Sequence, residues 1–224
     1  MENTVLKFSH CDRYIFCFVC QNNLHQVPTP DDNTLISEPT RCPLCLSTMR
    51  FGLLDAPVIV PCPFSNGHKA SRAFVIGSQQ GPMFISECND SELHVGITNS
   101  KGVVYNYTLS GMQRDDHGWE QCISVPLVAP GEDFFGRQWD SELEKFSLLP
   151  MWSPHRFHEE REFASCCYGF VLAFINHMRR IEGKDCVSRD VFTGQHVLPH
   201  IKTVSKYLRV YKEISLHGFY IADK

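Results

Sequence analysis

Apolar and polar residues alternate along Leu93–Thr98, and Val103–Thr108 is a second β-rich run. Such alternation belongs to strands, and Asn99-Ser100-Lys101-Gly102 between the two runs signals a hairpin. In the first run Leu93, Val95 and Ile97 share one face, and His94, Gly96 and Thr98 share the other. Further strands are predicted over Tyr14–Val19, Asp55–Val60, Ala73–Ile76, Gln121–Leu127 and Phe219–Ala222, with a loop over Pro61–His68. The period lengthens in Cys166–Met178, where Cys167, Phe170, Val171, Phe174, Ile175 and Met178 make one apolar helical stripe. Ser165 is a suitable N-cap for that helix. Helices are also predicted over Gln138–Phe146 and from about Ile201 to about Leu216, the second ended by His217-Gly218.

Residues 1–50 lack this order. They hold five cysteines and a polar stretch from Pro28 to Thr40, with little continuous periodicity. Such a segment seldom builds its own core, so a metal or a neighbouring domain has to hold it. The expected organisation is a cysteine-rich module over residues 1–52 followed by an α+β domain over residues 53–224.

Composition narrows the function classes. The net charge of −4 and the scattered Lys and Arg residues, with Arg179-Arg180 the longest cluster, leave no footprint for nucleic acid. No run of about 18 apolar residues is available to span a membrane, and the N-terminus does not read as a secretory signal. Eleven cysteines, an odd number, fit a reducing compartment in which thiols serve as ligands, nucleophile or small buried residues. The expected location is cytoplasmic or nuclear.

Two pairs, Cys17-x-x-Cys20 and Cys42-x-x-Cys45, have the spacing of a zinc ribbon, each offering two corners of a tetrahedral thiolate site. The expected metal is a structural zinc on Cys17, Cys20, Cys42 and Cys45, with His10, Cys11 and His25 as spare ligands. Against this stands Tyr14–Val19 as a simple buried strand, which would send Cys17 and Cys20 to opposite faces.

A second thiol stands out. Cys167 lies on the apolar stripe in the first turn of its helix, whereas Cys166 sits ~100° around it. Free backbone N–H groups and the helix dipole at that end lower a thiol pKa and can hold an oxyanion. A strand histidine, His94, is the candidate base, with Gly96 leaving space beside it for the start of a helix. Asn106 shares the His94 face only if the hairpin has an odd-length loop or a bulge, which Gly102 would permit. The plainer readings are a buried core thiol and a hydrogen-bonded surface histidine. His155, His158, Glu159, Glu160 and Glu162 read as a solvated loop rather than a metal site. Trp119, Trp139 and Trp152 read as packing residues, with Trp152 a candidate cleft wall and His155 and Arg156 candidate substrate contacts.

His94-Val95-Gly96-Ile97 followed by Cys167-x-x-Phe170 resembles the permuted papain-like superfamily, whose members include lecithin:retinol acyltransferase-like proteins and desumoylating isopeptidases. The resemblance covers about residues 90–180 and implies an antiparallel sheet packed on helices. It also implies roles: Cys167 as nucleophile, His94 as base and Asn106 as orienting group. One departure is Cys166, where that superfamily often carries Asn before the nucleophile. Over nearly the whole chain, Phe8-x-His10-Cys11, Cys42-Pro43-Leu44-Cys45, Asn66-Gly67-His68, Gly118-Trp119-Glu120, Gln138-Trp139-Asp140 and His217-Gly218-Phe219-Tyr220 resemble the makorin opposite-strand protein family, which supplies no reaction. The expected function is a cysteine-dependent hydrolase or acyl-transfer protein cutting a peptide or isopeptide bond, with a protein or ubiquitin-like substrate. The alternative is a non-catalytic interaction protein that keeps the fold.

Overall fold

Cys11 and Asp12 turn the chain back after its first strand in the computed structural model, which describes residues 3–19, 26–29, 32–37, 40–52, 56–78, 81–84, 93–128, 133–160 and 166–224. Strands β1 (Val5–His10) and β2 (Arg13–Phe18) pair from Val5↔Phe18 to His10↔Arg13, and both turn residues have positive φ, 50° and 59°. That is the mirror-image turn whose twist suits a two-residue hairpin. A separate hairpin joins β3 (Gln26–Thr29) to β4 (Asp32–Ser37). Strand β5 (Val58–Val60) adds to β1, and the last strand, β11 (Phe219–Asp223), adds to β2, giving the order β11-β2-β1-β5. Alternation then sorts the side chains. Phe16 and Phe18 pack with Val5, Tyr207 and Ile214 on one face, and Phe8 and Ile15 pack with Cys42 and Met49 on the other.

The chain divides into two compact units, residues 1–62 with 206–224, and residues 63–205. Residues 53–62 and 206–224, grouped by composition with the larger domain, therefore belong to the smaller unit. The reason is sheet completion, because β5 and β11 supply both outer strands of its four-stranded sheet.

The larger unit is built on a five-stranded antiparallel sheet of order β10-β6-β7-β8-β9. Its strands are β6 (Ala73–Ser78), β7 (Leu93–Thr98), β8 (Val104–Thr108), β9 (Gly111–Asp115) and β10 (Ile123–Pro126). The helices are α1 (Asp133–Ser147), α2 (Cys166–Ile181), the single turn α3 (Arg189–Phe192) and α4 (Leu198–His217), which the unit boundary divides at residue 205. The apolar stripe of α2 packs on β7 and β8, burying Phe170, Val171, Leu172, Phe174 and Met178. Aromatic edges lock α1 to α2, with Trp139 5.0 Å from Phe174 and Phe146 5.5 Å from it. Buried Asn176 accepts from Val187 N and donates to Val187 O, so one amide pins the segment after α2. The chain is thus mixed α+β with antiparallel sheets. Strand β9 escapes the sequence pattern because Gly-Met-Gln-Arg-Asp has no apolar alternation, and only pairing with β8 makes it a strand.

Candidate functional site

The register of one hairpin builds the site. Strands β7 and β8 pair at Ile97↔Tyr105 and Thr98↔Val104, leaving a five-residue loop. That odd number puts His94 and Asn106 on one face. The loop is held from several sides. Ser100 N donates to Asp140 of α1 at 2.8 Å and the Ser100 hydroxyl donates to the same carboxylate, while Trp139 Nε1 donates to Thr98 O at 3.0 Å. His68 donates from Nδ1 to Gly102 O at 2.9 Å and accepts at Nε2 from Trp119 N at 3.3 Å. Gly102 has φ +80°, and a Cβ there would lie 1.9 Å from His68 O, so no other residue fits.

Beyond Thr98 and Val104 the diagonal neighbours meet. His94 Nε2 lies 2.8 Å from Asn106 Oδ1, and Asn106 Nδ2 donates to Asp115 Oδ2 at 2.7 Å. The Asp115 carboxylate can only accept, so it fixes the Asn106 amide with nitrogen towards Asp115 and oxygen towards His94. His94 must then donate from Nε2, which leaves Nδ1 as the basic nitrogen of the neutral ring. Trp119 completes the support. Its Nε1 donates to Asp115 Oδ2 at 3.1 Å, and its ring lies 5.8 Å from the His94 ring. The small size of Gly96 serves a purpose other than the expected one. A Cβ there would meet Val104 Cγ1 at 2.5 Å and Tyr105 O at 3.1 Å, so Gly96 admits β8 rather than the start of a helix.

The helix brings the thiol. Helix α2 opens at Cys166, whose φ of +57° lies in the left-handed region, so the chain turns sharply just before Cys167. Ser165 lies outside the described residues. Cys167 is half-buried, and its backbone hydrogen-bond neighbours include Val95, the residue after His94. Burial pushes the Cys167 thiol above its ordinary pKa, while hydrogen bonds with the backbone of Val95, Tyr168 and Cys167 pull it part of the way back. The lowering expected at a helix N-terminus is therefore outweighed by desolvation. Among the described residues no hydrogen bond links the Cys167 thiol to the His94 ring.

Other candidates sort plainly. Trp152 lies in the core, 5.4 Å from Tyr107 and 5.1 Å from Phe170, and is 2 % exposed, so it packs rather than walls a cleft. Arg156 pairs with Glu159 at 2.8 Å. His155, His158, Glu159 and Glu160 are exposed, and Glu162 lies outside the described residues.

In the smaller unit, His10, Cys11, Cys42 and Cys45 gather with their ligand atoms within 4.8 Å of one another, a set that could hold a metal ion. Cys17 is elsewhere. It sits on β2 against the small core of Phe8, Ile15, Cys42 and Met49, while Cys20 and His25 lie outside the described residues. Hydrogen bonds from Ser47 hold the Cys45 thiol down at about 6. The hydrogen bond with the Cys45 side chain, then desolvation and the hydrogen bond with Cys42, push the Cys11 thiol up to about 11.

Residues 57–214 match the family described as DUF4796 C-terminal. The human MKRN2 opposite strand protein is 38 % identical over 220 residues, covering 98 % of this chain and 89 % of that protein. The chain belongs to this family. No solved structure matches it. The matched span 57–214 includes His94, Asn106, Asp115, Trp119 and Cys167, and stops short of His10, Cys11, Cys42 and Cys45. The roles of Asp115 and His68 escape sequence reading. The motif Asn66-Gly67-His68 contains His68 but has no catalytic spacing of its own, and no motif marks Asp115.

Proposed function

We propose that the chain is a thiol-dependent hydrolase or acyl-transfer protein with a permuted papain-like larger unit, acting on a peptide or isopeptide bond of a protein or ubiquitin-like substrate. The observation that supports the reading is the hydrogen-bond chain Trp119–Asp115–Asn106–His94, which leaves Nδ1 as the basic nitrogen of His94; Cys167 meets the backbone of the next residue, Val95, whose side chain lies on the other face of β7 from His94. In this reading Cys167 waits as a neutral thiol, because burial disfavours the thiolate. His94 Nδ1 takes the thiol proton as sulfur attacks the substrate carbonyl, and the same proton then passes to the departing amine. Water or another acceptor resolves the thioester. Free N–H groups in the first turn of α2 would face the oxyanion.

The test is modification by a ubiquitin-like protein carrying an electrophilic C-terminus, with the modified cysteine mapped by mass spectrometry. Cys167 is expected to react selectively, His94→Ala to slow it by about 100-fold or more, and Cys166→Ala to leave it unchanged. The reading fails if Cys167 reacts no faster than the exposed thiols and His94→Ala changes nothing, an outcome that favours the non-catalytic interaction protein.

A further inference from the structure

We infer that His10, Cys11, Cys42 and Cys45 form a structural zinc site in which His10 and Cys11 replace the ligands that the Cys17-x-x-Cys20 spacing suggests. The distances suit one ion. A tetrahedral site with Zn–S bonds of ~2.3 Å sets its sulfurs about 3.8 Å apart, and a nitrogen ligand slightly closer. Cys11 Sγ lies 4.0 Å from Cys42 Sγ, and His10 Nδ1 lies 3.0 Å from Cys11 Sγ and 3.7 Å from Cys45 Sγ. Small adjustments bring all four donors onto a common centre.

The backbone around the cluster is that of a ligand-presenting loop. Leu44 N points at Cys42 Sγ at 3.4 Å, Leu46 N donates to Cys42 O at 2.9 Å, and Cys42 N donates to Ser47 O at 3.0 Å. Leu46 then takes φ 60°, which closes the loop behind Cys45. The Ser47 hydroxyl lies 3.1 Å from Cys45 Sγ and supplies the outer hydrogen bond that metal thiolates commonly have. Opposite this loop, the β1–β2 turn puts a cysteine where Asn or Gly is favoured, since Cys11 has φ 50°. A thiol at such a position costs backbone energy that a metal bond offsets. The need for a staple is also visible. The core beneath the cluster holds four buried residues, Phe8, Ile15, Cys42 and Met49, too few to fix a loop by burial alone.

Zinc binding would displace to solvent whatever thiol protons the three cysteines still carry and tie the β1–β2 turn to the 42–47 loop. Four protein ligands leave no open position, so the role is structural. The site is independent of the Cys167 reading, since no residue is shared.

The test uses the full chain, with zinc and cobalt(II) as probes. Purified protein is expected to carry one equivalent of zinc by elemental analysis, and cobalt(II) exchanged into it to give thiolate charge-transfer and intense tetrahedral d–d bands. Cys45→Ser and His10→Asn are expected to weaken metal affinity by ~10-fold or more, the least that a disturbed metal site shows. Cys17→Ser is expected to keep its full equivalent. The inference is overturned if wild-type protein binds no zinc and gives only a weak octahedral cobalt spectrum. It is equally overturned if Cys17→Ser loses metal as fully as Cys45→Ser, or if Cys11 and Cys42 prove to be disulfide-linked. Should Cys45→Ser fail to fold, the wild-type cobalt spectrum and the Cys17→Ser metal content still decide. Selective Cys167 labelling in a zinc-free protein would sink this site alone.

Discussion

The His94 site and the thiol cluster are held in opposite ways. His94 stands on an inner strand of the five-stranded sheet, with Asn106, Asp115 and Trp119 fixing its ring and α2 packed on β7 and β8. The thiol cluster rests on two short turns and a small patch of core, and each turn needs a left-handed residue. The first site is specified by burial and hydrogen bonds before any ligand arrives. The second has a small core patch and a few backbone hydrogen bonds in the 42–47 loop besides its donor atoms, so under the zinc inference its order should depend on the ion. If the cluster takes the proposed ion, a site in a small unit trades hydrophobic area for coordination.

The largest effect that would break this comparison is Gly102→Val. Its side chain collides with the His68 carbonyl and its backbone is left-handed, so the larger unit should lose more than about 4 kcal/mol of stability. Urea unfolding followed by tryptophan fluorescence measures it, and a loss below about 1 kcal/mol would mean the loop clamp is not needed. Next comes Phe174→Ala, expected to cost about 3–5 kcal/mol in the same unit, because Phe174 is fully buried between Trp139 and Phe146. Chelator should not deepen that loss, whereas it should destabilise the smaller unit in wild-type protein.

A sharper probe is Asp115→Asn. It lets the Asn106 amide turn over and frees His94 to protonate at Nδ1, so imidazole nitrogen NMR should show the tautomer change and Cys167 modification should slow ~10-fold or more. An unchanged tautomer would show that Asp115 does not orient the pair. The smallest effect concerns acid. Arg114, and then Tyr105, hold the Glu144 carboxyl below its usual value of 4.5. A depressed carboxylate stabilises the fold above pH 4.5 and loses that contribution as pH falls through the lowered pKa. The pair is half-exposed, so Glu144→Gln should remove less than about 1 kcal/mol at pH 7 and flatten the acid limb of a denaturation curve. An acid limb unchanged by the substitution would remove Glu144 from that account.

Much of this was legible in the residues. Strand β7 matches its alternation from Leu93 to Thr98, and α2 begins at Cys166, one residue before its stripe starts. The conditional link between an odd loop, Gly102 and Asn106 rested on strand parity, which is local geometry and therefore readable. Asp115 was hidden because β9 carries no alternation, and Trp119 because its support of His94 crosses the sheet from a loop. The C-x-x-C spacing alone does not say whether Cys17 is a ligand or a small apolar residue, because a thiol is both; the structure packs it against Phe8, Ile15, Cys42 and Met49, and Cys20 lies outside the described residues.

By itself the sequence determined the periods, hence β7, β8 and α2, and the condition of an odd loop under which His94 and Asn106 share a face; the β7–β8 register met that condition. Tertiary structure alone decided the amide orientation, the His94 tautomer and which thiols gather with His10. Those depend on what lies across a turn or a neighbouring strand, namely Asp115 beside Asn106 and His10 and Cys11 opposite Cys42 and Cys45. Periodicity is written along the chain, whereas hydrogen-bond direction and coordination are set by contacts through space.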